Sequence, residues 1–145
     1  MTAGKRVLFD TSVYIAAIHG GIQSPVYLLL NRELPKTYLA SVVSAELRAG
    51  ATSVTARRAV ERFTSRTQKV GRVVTPGAGT WDRAGDLLGK IRQKEPGLRS
   101  KIPRFWNDLL IALSARELGA ALVTSNARDF KLLRRYVSFE LTVLT

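Results

Sequence analysis

The sequence predicts a three-layer α/β/α sandwich built on a mainly parallel five-stranded sheet, as a single domain over residues 1–145. Two patterns predict it. Short apolar runs alternate with longer stretches of helical periodicity from one end of the chain to the other. Most of those runs are continuously apolar, as strands buried on both faces of a parallel sheet must be. The size agrees: 145 residues with 46% apolar and 23% charged side chains suit one substantial core.

In order, KRVLFD at 5–10 reads as a buried strand. Thr11 and Ser12 offer N-caps for a helix over about 12–18, which Gly20-Gly21 ends. Pro25 opens a second helix to about Asn31, and TYLA at 37–40 is the next strand. Ser41 is the expected N-cap of a helix from Val42 to Gly50. A helix over about 53–68 follows, with Ala56, Ala59, Val60 and Phe63 on its apolar face. Arg57, Arg58, Arg62 and Arg66 lie on its other faces and suit a solvated surface, a nucleic-acid groove or a partner contact equally. GRVV at 71–74 predicts a third strand and about 79–93 a helix. The stretch 95–103, with its two prolines, reads as an irregular loop. Pro103 leads into a helix that Gly119 caps, and residues 120–124 form the fourth strand. A short helix over about 127–134 precedes YVSFELTVL at 136–144, whose period-two alternation predicts an edge strand.

Composition narrows the chemistry. The chain has no cysteine, which removes disulfides, thiolate metal sites and cysteine nucleophiles. His19 is the only histidine, so paired-histidine ribonuclease chemistry is excluded. No signal peptide is visible, and no stretch reaches the ~18 apolar residues of a membrane span. A cytoplasmic protein that does not engage membranes is expected. The net charge of +12 favours an anionic partner, most simply nucleic acid.

Against 23 basic residues stand 11 acids, and several of these occupy apolar surroundings. Asp10 ends the run Val7-Leu8-Phe9, Glu46 lies among Val42, Val43, Ala49 and Gly50, and Asp108 heads the stripe Ile111, Ala112, Ala115. Each has a simpler reading. Asp10 suits a helix cap, Glu46 a buried ion pair, Asp108 a first-turn acid, and Asp129 a solvated surface acid. Their placement favours a joint role. Asp10 lies at the carboxyl end of the first strand and Glu46 follows the second. Asn126 and Asp129 follow the fourth, and Asp108 sits near the start of a helix running antiparallel to the strands. Ligands of open α/β sheets bind at that carboxyl edge. Clustered carboxylates repel one another unless a cation neutralises them, and oxygen donors suit Mg²⁺ or Mn²⁺. The pattern points to metal-assisted hydrolysis of a phosphodiester.

These motifs resemble the PIN-domain nucleases, and more closely the VapC-type toxins of toxin–antitoxin modules. VLFDTSVYI is similar to the family's first motif, SVVSAELRAG to its second, and NDLLIALSARELGAALVTSNARDF to its third and fourth. The likeness spans nearly the whole chain in the right order. It implies a Mg²⁺- or Mn²⁺-dependent endoribonuclease with Asp10, Glu46 and Asp108 as core acids. The fourth position falls to Asn126 or to Asp129, with Thr11 and Thr124 as supporting hydroxyls. It also implies a homodimer and inhibition by a cognate antitoxin protein. Within the same resemblance the chain could instead be an RNA-processing nuclease outside any toxin module, or a PIN-like module that binds RNA or protein without cutting.

The basic residues around the acids fit an RNA substrate. Arg99, Lys101 and Arg104 precede Asp108, while Arg128 and Lys131 flank Asp129. All five suit phosphate contacts. Phe105 and Trp106 could stack on splayed bases, or serve the core or a dimer interface. Other phosphoryl-transfer domains of similar topology fit poorly. A dehalogenase-like enzyme needs Asp-x-Asp where the chain has Asp10-Thr11-Ser12, and a receiver domain needs an Asp after the third strand, where Val74 leads to Thr75-Pro76.

Overall fold

The computed structural model describes residues 4–144. Its sheet has five strands, all parallel, in the order β3-β2-β1-β4-β5. They are β1 (Val7–Phe9), β2 (Thr37–Ala40), β3 (Val73–Val74), β4 (Ala121–Thr124) and β5 (Glu140–Val143). The seven α-helices are α1 (Thr11–Gly20), α2 (Pro25–Glu33), α3 (Ser41–Gly50), α4 (Val54–Lys69), α5 (Ala78–Lys94), α6 (Ile102–Leu118) and α7 (Ala127–Leu133). Helices flank the sheet to complete an α/β/α sandwich, with α1 packed on α2, α3 and α4, and α6 on α5 and α7.

The central strand β1 has no exposed surface at Val7, Leu8 or Phe9, which is why it carries no polar residue. Helix α6 is buried on every side from Leu109 to Ala115. Its apolar character therefore runs all round rather than along the stripe Ile111, Ala112, Ala115. Edge-on aromatic contacts, Phe9 to Tyr14, Tyr14 to Phe63 and Tyr27 to Phe63, tie β1, α1, α2 and α4 together. Among the described residues no helix is long and apolar enough to cross a membrane.

Several boundaries differ from the expectation, each for a local reason. Asp10, not Thr11 or Ser12, caps α1, because its carboxylate accepts the Val13 N–H. Ser41 lies inside α3, which Ala40 precedes without any side-chain cap. Residues 95–103 are not an irregular loop. Pro96 starts a 3-10 helix over Pro96–Lys101, and α6 follows at once with Pro103 in its first turn. Proline is tolerated there because a first-turn N–H needs no intrahelical partner. Strand β3 is shortened by Gly71, whose φ of 74° makes a turn. Strand β5 begins only at Glu140, because Tyr136 and Val137 still bond back to Leu133 at the end of α7. Val137 and Phe139 are buried nonetheless, so the alternating pattern reports burial where there is no strand pairing.

Gly119 ends α6 as expected, with φ 65° and its N–H on the carbonyls of Ala115 and Arg116. A Cβ in this left-handed conformation costs roughly 1–2 kcal/mol. Gly119→Ala is therefore expected to lower the urea midpoint without changing the slope of the transition, and an unchanged midpoint would contradict that backbone strain.

Candidate functional site

Asp10 leaves β1 at the carboxyl edge of the sheet and is only 4% exposed. Its backbone N–H donates to the carbonyl of Val123 at 3.0 Å, which locks the end of β1 to β4. Its carboxylate accepts from Ser12 Oγ at 2.6 Å and from Thr124 Oγ1 at 2.6 Å. Those hydroxyls are fixed in turn, since Ser125 N–H donates to Ser12 Oγ and Asn126 N–H to Thr124 Oγ1. Burial pushes the Asp10 carboxyl above its ordinary range. The hydrogen bonds from Ser12, Thr124 and Val13 oppose that push, and the charge of Glu46 adds to it.

Glu46 lies in the second turn of α3, beyond the first-turn reach of a cap. Thr11 Oγ1 donates to its Oε1 at 2.8 Å, which brings α3 to the start of α1. Among the described residues Glu46 makes no ion pair, so its reading as half of a buried salt bridge is not met.

Asp108 is in the second turn of α6, past the first-turn position at which the helix dipole alone would account for it. Its Oδ2 is buried and has no hydrogen-bond partner. Burial raises its carboxyl to about 7, the charges of Asp129, Asp10 and Glu46 add to the rise, and Arg104 opposes it. The carboxylates thus act on one another through their fields. Among the described residues no three of them are close enough to cage an ion as they stand.

Asp129 is not a solvated acid: it is 3% exposed, on the first turn of α7. Lys101 Nζ and an Arg104 guanidinium nitrogen each lie 3.5 Å from it, and the Asn126 amide donates to its Oδ2 at 3.3 Å. Asn126 and Asp129 are therefore neighbours joined by a hydrogen bond. Lys101, Arg128 and Lys131 line a hollow of about 550 Å³ beside Asp129, where Arg135 also stands, paired with Glu95 at 3.7 Å. Arg99 is exposed on the preceding 3-10 helix and lines no part of that hollow. Phe105 is fully buried, so it belongs to the core and cannot stack on a base.

Sequence reasoning passed over the part played by Ser12 and Ser125 in holding Asp10. Ser12 suits a cap in sequence, and its spacing of two from Asp10 is the signal that points to the second role. Trp81 was missed altogether. It is 49% exposed, and its ring lies 6.0 Å from that of Trp106 at an interplanar angle of 40°.

An α/β/α domain with carboxylates gathered at the carboxyl edge of a parallel sheet defines the class. The chain belongs to the PIN domain family, which it matches over residues 7–136. Among solved structures it is similar to VapBC2 from Rickettsia felis bound to a DNA fragment from their promoter. That likeness has a TM-score of 0.70 at 26% identity, covering 96% of this chain and 98% of the other. It is also similar to DNA-bound VapBC from Salmonella typhimurium, with TM-score 0.69 at 18% identity, covering 96% and 98%. FitAB bound to an IR36 DNA fragment gives 0.61 at 19%, covering 94% of each chain. At such identities the last two show the fold. Comparison with curated proteins finds no match. The resemblance to VapC-type PIN toxins read from the motifs is thus met by the family match and by the structures.

An acid whose pKa is higher in the folded chain than in the unfolded one takes up a proton on folding. Folding is therefore favoured below the ordinary carboxyl value of 3.8, and that advantage is lost as pH rises to about 7. The loss is at most about 4 kcal/mol, and less where solvent reaches the half-buried side chain. Asp108→Asn is expected to raise the melting temperature at about pH 8 by several degrees, with little gain at about pH 4. Thermal unfolding at the two pH values checks this; an equal gain at both would mean that Asp108 titrates normally.

Proposed function

We propose that this chain is a metal-dependent endoribonuclease and the toxin of a toxin–antitoxin pair. The observation that carries the reading is Asp108, with a buried carboxylate oxygen that no described protein group satisfies and with three further acids whose charges act on it. A divalent cation is the ligand that would satisfy that oxygen and offset the repulsion together. The donors are all hard oxygens, which suits Mg²⁺ or Mn²⁺. Asp10, Glu46 and Asp108 would hold it, with Asp129 and Asn126 completing the set.

A cation bound there supplies charge neutralisation at the phosphodiester and a water of lowered pKa. The chain's own residues do the rest. Ser12, Thr124 and the Val13 N–H fix the orientation of Asp10, and Thr11 fixes Glu46. Lys101 and Arg104 partly neutralise Asp129, and their remaining N–H groups would receive the phosphate of an approaching strand. Arg128 and Lys131 extend that cationic surface, and Arg99 adds to the field at longer range.

RNA as the substrate, an antitoxin as partner, a homodimeric state and a cytoplasmic setting belong to this reading. The net charge of +12 supports the RNA. The solved neighbours are VapBC and FitAB assemblies, which supports the antitoxin.

Asp10→Asn and Asp108→Asn are expected to lower RNA cleavage by the purified protein by more than ~100-fold. Asp129→Asn, whose contacts are already shared among Asn126, Lys101 and Arg104, should cost only ~10–100-fold. Initial rates on a labelled RNA check both; if the first two variants cut at the wild-type rate, the mechanism is wrong.

A further inference from the structure

Glu46 borders another hollow, of about 590 Å³, which Asp129 does not line. Its walls differ from those of the cationic hollow. Val42, Ala45, Pro76 and Leu110 supply apolar surface, Trp81 stands at the rim, and no lysine or arginine takes part. Trp81 is in the first turn of α5 with half its surface exposed, although burial of an indole is strongly favourable. Trp106 of α6 lies against it and limits how the ring can turn. Asn107 offers an amide inside the hollow, with both a donor and an acceptor.

We propose that this hollow is a nucleobase subsite in which Trp81, braced by Trp106, stacks on one unpaired base of the strand being cut. The assignment rests on the reading of the chain as a ribonuclease and adds to it a feature of the substrate. An apolar hollow without cations does not suit a phosphate but suits the π-face of a base. The Asn107 amide can pair with a base edge. The acids join the two hollows, since Glu46 borders one and Asp129 the other, and both bear on Asp108. A strand crossing the acids can therefore set phosphates among Lys101, Arg128 and Lys131 and turn a base into the aromatic hollow. A base held in a duplex presents no free face, so the substrate is single-stranded at that nucleotide.

The test uses full-length wild type, Trp81→Ala and Trp81→Phe on a single-stranded RNA, intact or made abasic at each nucleotide flanking the cleavage point. Trp81→Ala should lower kcat/KM on intact RNA by ~5–100-fold, and Trp81→Phe should recover most of it. One abasic position should cost the wild type a similar factor and cost Trp81→Ala little more. Equal rates for Trp81→Ala and wild type on intact RNA overturn the subsite but leave the nuclease intact. So do losses that multiply at every abasic position. A fall in sedimentation mass of Trp81→Ala assigns the hollow to a second copy and also overturns it. Failure of the wild type to cut any RNA removes the parent reading together with the subsite.

Discussion

Carboxylates of like charge held together out of water are the constraint on which the rest of this structure turns. Left alone, each prefers to be solvated and apart from the others. Here Asp10 and Asp129 are almost fully buried, and Asp108 feels the charges of Asp129, Asp10 and Glu46. A fold that tolerates this must compensate locally, and it does so unevenly. Asp10 accepts from Ser12, Thr124 and Val13, Asp129 is neutralised by Lys101 and Arg104, and Glu46 accepts from Thr11. Of these four acids, Asp108 is the one that keeps a buried oxygen without a hydrogen-bond partner among the described residues. The unfavourable energy is concentrated on one side chain, which is the arrangement a site that takes up a cation requires.

The parallel sheet makes this concentration possible. Each strand ends at the same edge, so the residue following β1 and the helices following β2 and β4 deliver acids to one place. Helix α6 runs back from that edge, and its buried Leu109–Ala115 segment anchors Asp108 rigidly against the core. The N–H of Asp10 on Val123 and the hydroxyl of Thr124 on Asp10 join β1 to β4 at the point where the acids gather. Asp129 then borders a hollow lined by Lys101, Arg128 and Lys131, and Glu46 one lined by Trp81.

What could be read from the chain without coordinates was whatever depends on local chemistry. Strands were legible because β1, β2 and β4 are buried runs, and the end of α6 was legible because Gly119 must supply a left-handed residue. Asp10, Glu46 and Asp108 stood out because their neighbours are apolar. The burial of Asp129 was not legible, since it depends on Lys101, 28 residues away, meeting α7. Phe105 and Trp106 look alike in sequence, yet successive helix positions point about 100° apart, and only Trp106 reaches the surface. Trp81 gained meaning only when α5 packed on α6. The stretch 95–103 misled because proline breaks a helix in its interior but starts one at its first turn.

The central claim is that Asp108 destabilises the fold in order to bind a divalent cation. Calorimetric titration of Mn²⁺ into wild type and Asp108→Asn tests it most directly, because binding is read without any substrate. The account predicts saturable binding by wild type and an affinity at least ~100-fold weaker in a variant that remains fully folded. Equal affinity in the two proteins, or no binding by wild type, would contradict it.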